Sequence, residues 1–123
     1  HATVSGKDLA KTVDVTIENN KIAANDTVNS AKVTVVATAN GYSLQLPNGK
    51  YLSLSTNGNQ VSESAAAFDL NFAHTESGVK ILGTDSAGNE RVVTNNDIHY
   101  RAYKTSASTT DGYTLPNLYK FVE

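Results

Sequence analysis

Apolar and polar residues alternate along much of this chain, with an apolar side chain at every second position. The alternation is clear in five segments, numbered 13–17, 32–36, 42–46, 52–55 and 68–72. Successive side chains of a strand point to opposite faces, so this pattern predicts strands with one buried and one wet face. No long window keeps a helical period, and the best helical candidate, 62–67, is too short for a stable helix. The sequence therefore predicts an all-β fold.

Asn and Gly residues stand between these segments and mark the turns, because both accept a positive φ at low cost. The clearest hairpin joins 42–46 to 51–55 through a Pro-Asn-Gly turn. Residues 25–27 form an Asn-x-Thr sequence, which is also interpreted as a turn. Residues 105–112 are rich in Ser and Thr and lack alternation, so they are predicted to form a surface loop.

Three stretches share one order of features, namely a hairpin, a spacer and a further strand. Their strands are predicted at 13–17, 21–24 and 32–36, at 42–46, 50–54 and 68–72, and at 79–82, 90–94 and 118–122. Three such units predict a single small closed barrel, β-trefoil-like with a pseudo-threefold repeat, which also removes exposed sheet edges. Another antiparallel barrel or a sandwich is the alternative. We expect residues 1–123 to form one domain, excised from a larger exported protein because the chain begins at His1 and not at Met.

Composition narrows the function classes. The chain has 123 residues, no Cys and a net charge of −2. A disulfide framework, a zinc-thiolate site and a cysteine nucleophile are excluded, and a broad cationic footprint for nucleic acid is not expected. No apolar run approaches the roughly 20 residues that span a bilayer, so we expect no membrane insertion.

Two segments resemble known families. Residues 48–53 (NGKYLS) followed by 67–70 (AFDL) resemble a unit of β-trefoil modules such as the fascin-like ones. Residues 100–104 (YRAYK) and 115–120 (LPNLYK) are similar to the C-terminal part of β-rich accessory domains in secreted, multidomain gut-Bacteroidetes proteins. Those domains often sit beside a nuclease- or phosphatase-like catalytic domain. The resemblance implies an exported, non-catalytic appendage and names no ligand.

The best candidate binding site is a run of aromatic and basic residues near the C-terminus. Aromatic rings can stack on sugars, and Arg or Lys can supply charge and hydrogen bonds. Alternation places Arg101 on the same strand face as Tyr103, so we expect these two to be the exposed pair and Tyr100 to point away. Lys104 and Asn96 complete the predicted ligand-binding set.

The sequence predicts neither a catalytic site nor a metal site. The three histidines, His1, His74 and His99, have no serine or carboxylate partners in a recognisable catalytic spacing. Asp97 and His99 would share one face of a strand, but a turn-capping Asp97 and a half-exposed His99 are the favoured interpretation. We expect no catalytic residues, no metal and no cofactor.

The leading functional hypothesis is a non-catalytic accessory or binding module of an exported bacterial protein, with a glycan as ligand. The second hypothesis is a structural spacer or docking domain for a neighbouring catalytic domain of the same polypeptide. The third, which the near-neutral charge weakens, is a nucleic-acid-binding appendage of a nuclease. We expect a monomer that is secreted, periplasmic or attached to the cell surface.

Overall fold

The computed structural model describes residues 3–9, 15–96, 99–106 and 113–120. These residues form short strands and one helix, α1. In chain order the elements are β1 (Val4–Ser5), β2 (Asp8–Leu9), β3 (Ile17–Glu18), β4 (Lys21–Ile22), α1 (Asp26–Asn29), β5 (Thr34–Thr38), β6 (Gly41–Gln45), β7 (Tyr51–Ser53), β8 (Ser62–Ser64), β9 (Asn71–Thr75), β10 (Gly78–Thr84), β11 (Glu90–Asn96), β12 (His99–Lys104) and β13 (Tyr113–Thr114). The all-β prediction is confirmed.

The strands form three antiparallel sheets. The largest has the order β1-β2-β12-β11-β10-β9, with β13 as a further partner of β11. The second has the order β5-β6-β7-β8, and the third is the β3–β4 hairpin. Within the described ranges, none of the three sheets closes on itself.

Turn chemistry explains the hairpins. Asn19 and Asn20 both have positive φ, 53° and 62°, in the two-residue turn between β3 and β4. The predicted Pro-Asn-Gly turn joins β6 to β7, where Gly49 has φ 85° and the Asn48 side chain accepts a hydrogen bond from the Lys50 amide. The turn predicted at 25–27 is instead the start of a helix, since Asp26 and Thr27 belong to α1 and Asn25 caps it by accepting a hydrogen bond from the Val28 amide at 2.8 Å.

One apolar core joins the two larger sheets. The seven-stranded sheet contributes its inner face, and the four-stranded sheet and its loops supply the rest. The buried members are Leu9, Leu44, Leu46, Leu52, Leu54, Val61, Leu70, Val79, Ile81, Val93 and Ala102. Gly83 packs tightly against the core, because a Cβ at this position would lie 2.9 Å from the Phe68 ring.

Backbone hydrogen bonds also connect the sheets. Tyr42 and Leu70 exchange two such bonds, of 2.9 and 2.6 Å, between β6 and the segment before β9. The Val61 amide donates to the Lys7 carbonyl, which ties the start of β8 to the β1–β2 turn. The Ser86 amide donates to the Ser55 carbonyl. The core is therefore held at its margins by main-chain bonds as well as by packing.

Several predicted strands differ from the observed ones. β5 is present, but Val35, which the alternation places on the buried face, is 55% exposed, while Val36 is half-buried. Both parities of this segment are apolar, so alternation could not choose between them. Residues 62–64 form the edge strand β8. The predicted final strand 118–122 is wrong in its described part, because Leu118 and Tyr119 are exposed and outside any strand.

The N-terminal predictions can be compared only in part. Of the strand at 13–17, Val15 is outside any strand and Ile17 begins β3, and both side chains are exposed. Positions 13 and 14 lie outside the described residues, as do Asp97 and positions 107–112 of the predicted loop. α1 has 4 residues, and no helix in the described ranges is long and apolar enough to cross a membrane.

Candidate functional site

Strand β12 places the predicted ligand-binding residues. Its inner side chains, including Ala102, join the core, so Arg101 and Tyr103 lie on the opposite, outer face of the seven-stranded sheet. The prediction that these two share a face is confirmed. Lys104 is exposed and lies on the other face of the strand from Arg101 and Tyr103. The backbone of Asn96 pairs with that of His99.

Tyr103 is not an exposed platform. Its side chain is 5% exposed, so the expectation that it forms the solvent-facing pair with Arg101 is wrong. The cause is Tyr113 on β13, whose ring centroid lies 4.9 Å from that of Tyr103 at an interplanar angle of 45°. Tyr113 is only half-buried, so it is the ring of this pair that reaches solvent.

The strand register builds a defined surface around these rings. Cross-strand partners on one face lie about 5 Å apart, and successive rows about 7 Å apart. Thr94 stands opposite Arg101, and Asn96 stands between His99 and Tyr113. The term outer face is used below for the residues Asp8, Thr94, His99, Arg101, Tyr103 and Tyr113.

Asp8 holds Arg101 in place on the outer face. The Arg101 Nε donates to the Asp8 Oδ1 at 2.5 Å, and the two side chains are 30% and 24% exposed. This hydrogen bond raises the pKa of the Arg101 guanidinium above its ordinary value. The His99 Nε2 lies 3.9 Å from the same carboxylate oxygen. Asp8 could not be predicted from the sequence, because it is 93 residues from Arg101 and gives no local signal.

Thr94 is a buried hydroxyl beneath this surface. Thr94 lies on β11 between the residues opposite Tyr103 and Tyr113, so the two rings meet above it. This position accounts for its exposure of 1%. The Thr94 Oγ1 has no hydrogen-bond partner among the described residues. Buried polar groups are normally satisfied, so this hydroxyl is an exception that lowers the stability of the fold at this point.

Another ion pair, between Arg91 and Asp85, lies away from the outer face and is fully enclosed. The Arg91 Nε donates to the Asp85 Oδ2 at 2.7 Å, and neither side chain reaches solvent. Arg91 also donates to the Asn59 side chain and to the Ala102 carbonyl, both at 3.1 Å. The alternation of apolar and polar residues does not indicate Arg91 as a buried residue, because an arginine is rarely found on the face of a strand that points into the core.

Both carboxylate oxygens of Asp85 accept hydrogen bonds. Its Oδ1 accepts from the backbone amides of Ala87 and Asn89, both at 2.9 Å. Burial alone raises the pKa of the Asp85 carboxyl, but hydrogen bonds from Arg91, Asn89 and Ala87 outweigh it and hold the pKa well below its ordinary value of 3.8. A carboxylate with every oxygen engaged is suited to structure and not to proton transfer.

A second surface is apolar. Val33, Val35 and Tyr42 are all exposed, and the β5–β6 register places Val35 and Tyr42 on one side of the four-stranded sheet, the side that also carries Leu44. The Tyr42 ring packs against Phe72 at a centroid distance of 5.8 Å, so this surface continues from the rim of the core.

Metal ligands do not gather in the described ranges, where no three or more His, Asp or Glu side chains lie close enough to hold an ion. Comparison of the chain with protein-family models, with curated proteins and with solved structures finds no significant match.

Proposed function

We propose that this chain is a non-catalytic accessory module that binds a carbohydrate on the outer face. The observation that most supports this is the placement of a half-buried tyrosine ring, Tyr113, on the same sheet face as the partly exposed Asp8–Arg101 pair. An aromatic ring can stack on the apolar face of a sugar, while a carboxylate and a guanidinium accept from and donate to its hydroxyls.

The scaffold under this surface favours binding. Arg101 is held by Asp8, and Tyr113 rests on the buried Tyr103, so the ligand-facing groups are fixed before a ligand arrives. Groups that are already ordered lose little conformational entropy on binding, which raises affinity for a given set of contacts.

The charges of the described residues favour a non-catalytic role. Asp85 and Arg91 are buried and satisfy each other, and Asp8 is neutralised by Arg101. His99 is the nearest titratable base on the outer face, and its 3.9 Å separation from Asp8 exceeds a hydrogen-bond distance. The paired charges of the outer face are therefore suited to hydrogen bonding with a ligand.

Affinity electrophoresis tests the proposal. The protein is run through gels that contain xylan, galactan, polygalacturonate or heparin, and the affinity for any retarding polysaccharide is measured by calorimetry. Tyr113→Ala and Arg101→Ala are each expected to weaken binding at least about tenfold, equivalent to about 1.4 kcal/mol.

Two matched controls locate the site. Lys104→Ala removes a cation from the opposite parity of the same strand, and Tyr42→Ala removes an exposed ring from the other sheet. Both are expected to bind as the wild type does. Retardation by none of the polysaccharides, or equal loss in the control variants, would contradict the proposal.

We also propose that the sheets belong to one barrel-like, β-trefoil-like arrangement. The support is the Tyr42–Leu70 bridge and the Val61–Lys7 hydrogen bond, which link the four-stranded sheet to the seven-stranded sheet at two places. An exported bacterial origin is a further part of the proposal, and it rests on the resemblance of residues 48–53, 67–70, 100–104 and 115–120.

A further inference from the structure

The strand β5 leaves one edge of the four-stranded sheet open. In the described part of the chain β5 pairs only with β6, so every second residue of β5 presents its N–H and C=O groups outward. We infer that this edge joins two copies of the chain, β5 against β5 in antiparallel orientation, into a symmetric dimer. The inference goes beyond the binding of a ligand on the outer face and replaces the monomer expected from the sequence.

The β5 edge lacks the features by which proteins protect an open edge. Such edges are normally short, charged, or interrupted by Pro. The opposite edge of the same sheet follows this rule, because β8 has 3 residues and Glu63 at its centre, whose carboxylate accepts from the Asn48 side chain at 2.6 Å. β5 has 5 residues, TVVAT, without a charge, a Pro or a Gly. The difference between the two edge strands, β8 protected and β5 unprotected, indicates that β5 pairs with another strand.

The apolar surface next to this edge is the second support. Val35 is 55% exposed and Tyr42 47%, and both lie on one side of the sheet, while Val33, just before β5, is 36% exposed. Pairing two β5 strands centred on Val36 places Val35 of one copy opposite Ala37 of the other, twice by symmetry. The strip would then run unbroken across the junction, and its apolar side chains would shield one another from water.

Charge complementarity supports the same register. When Val36 pairs with Val36, extending the register by two residues beyond each end of β5 brings Lys32 of one copy opposite Asn40 of the other. The Asn40 side-chain amide donates to the Asp69 Oδ2 at 3.3 Å, so a carboxylate lies beside that position. Each lysine therefore approaches an acidic group of the other copy, and no like charges meet along the paired segment. The product is a continuous eight-stranded sheet, four strands from each copy.

Sedimentation equilibrium of the full chain tests the inference. From about 1 to 300 µM, near the range of typical reversible association, the weight-average mass is expected to rise from the 13.1 kDa of one chain toward twice that value. Val35→Lys adds a charge to the open edge and should move the midpoint at least about tenfold higher in concentration. Val35→Thr keeps a β-branched side chain without charge and should dimerise nearly as well as the wild type.

The exposure of Val35 makes both variants compatible with folding, which equal melting temperatures would verify. A mass that stays at one chain over the whole concentration range overturns the inference and leaves the edge for a different protein. Association that Val35→Lys does not weaken overturns it as well.

Zero-length carbodiimide coupling tests the register. A covalent dimer is expected through Lys32 and Asp69, and Lys32→Gln should abolish it while leaving the sedimentation behaviour within about threefold of the wild type. A covalent dimer that forms equally in Lys32→Gln contradicts the proposed register.

Discussion

The Nε of Arg91 lies 2.7 Å from the Oδ2 of Asp85 in a place that solvent does not reach. Asp85 stands at the start of the turn between β10 and β11, and Arg91 follows that turn. Arg91 also reaches the side chains of Asn57 and Asn59 in the loop after β7. The pair therefore fastens the β10–β11 hairpin to the other sheet at one end of the core.

Removing Arg91 should be costly for stability. Arg91→Ala leaves a buried carboxylate without its partner, and such losses cost about 3–5 kcal/mol. Lys104→Ala, at the exposed position that pairs with Arg91 across the strands, should change stability by less than about 0.5 kcal/mol. Urea unfolding followed by circular dichroism measures both, and similar losses in the two variants would refute a structural role for Arg91.

Stability should depend on pH through Asp85. Its pKa in the folded protein lies below the 3.8 of an ordinary aspartate. Above that ordinary value both folded and unfolded chains are ionised, and the native hydrogen bonds contribute their full stabilisation. As the pH falls below about 5, the unfolded chain begins to take up a proton first, so stability declines progressively toward the folded pKa.

Asp85→Asn separates this contribution from that of the other carboxylates. The variant should be less stable than the wild type at pH 7 and should lose less stability between pH 5 and 3, a window set by roughly one unit on either side of the ordinary pKa. Urea unfolding at a series of pH values gives both curves. Parallel curves across that window would show that Asp85 is not the source of the acid sensitivity.

Gly83 should tolerate no side chain. A Cβ there would lie 2.9 Å from the Phe68 ring, 3.1 Å from Leu54 and 3.3 Å from Leu70, all part of the packed core. Overpacking of this kind costs about 1–3 kcal/mol. Gly58→Ala is the matched control, because its nearest contacts would be 3.8 and 3.9 Å and its effect should stay below about 1 kcal/mol. Equal unfolding midpoints for the two variants would contradict the tight packing at Gly83.

Tyr103 should behave as a packing residue. Tyr103→Ala removes a buried ring from beneath Tyr113 and should cost about 3–5 kcal/mol. Tyr103→Phe keeps the ring and should preserve both stability and ligand binding. Thermal unfolding together with the affinity gels checks this. A Tyr103→Phe variant that folds normally but binds no ligand would instead place the hydroxyl in the binding site.

Much of the fold follows from local pattern, and the exceptions have physical causes. β6 and β7 combine alternation with an Asn-Gly turn, so the hairpin is predictable. β8 is a polar edge strand, Ser-Glu-Ser, whose stability comes from pairing with β7 and not from burial of apolar side chains. In β5 the consecutive Val35 and Val36 make both faces apolar, so the alternation could not predict that Val35 is exposed.

Part of the candidate site also follows from local pattern, and part of it does not. The shared face of Arg101 and Tyr103 follows from the period of a strand. The burial of Tyr103 by Tyr113 and the pairing of Arg101 with Asp8 depend on strands distant in sequence, so no local pattern indicates them. Arg91 lies inside because four hydrogen-bond partners from three separate segments surround it.

Amide chemical shifts report most directly whether the outer face is the binding surface. A ¹⁵N-labelled sample is titrated with an oligosaccharide of whichever polysaccharide retards the protein. The largest shifts are expected at Thr94, His99, Arg101 and Tyr113. Shifts centred on Val35 and Tyr42, with the amides of β11 and β12 unchanged, would show that the ligand binds elsewhere.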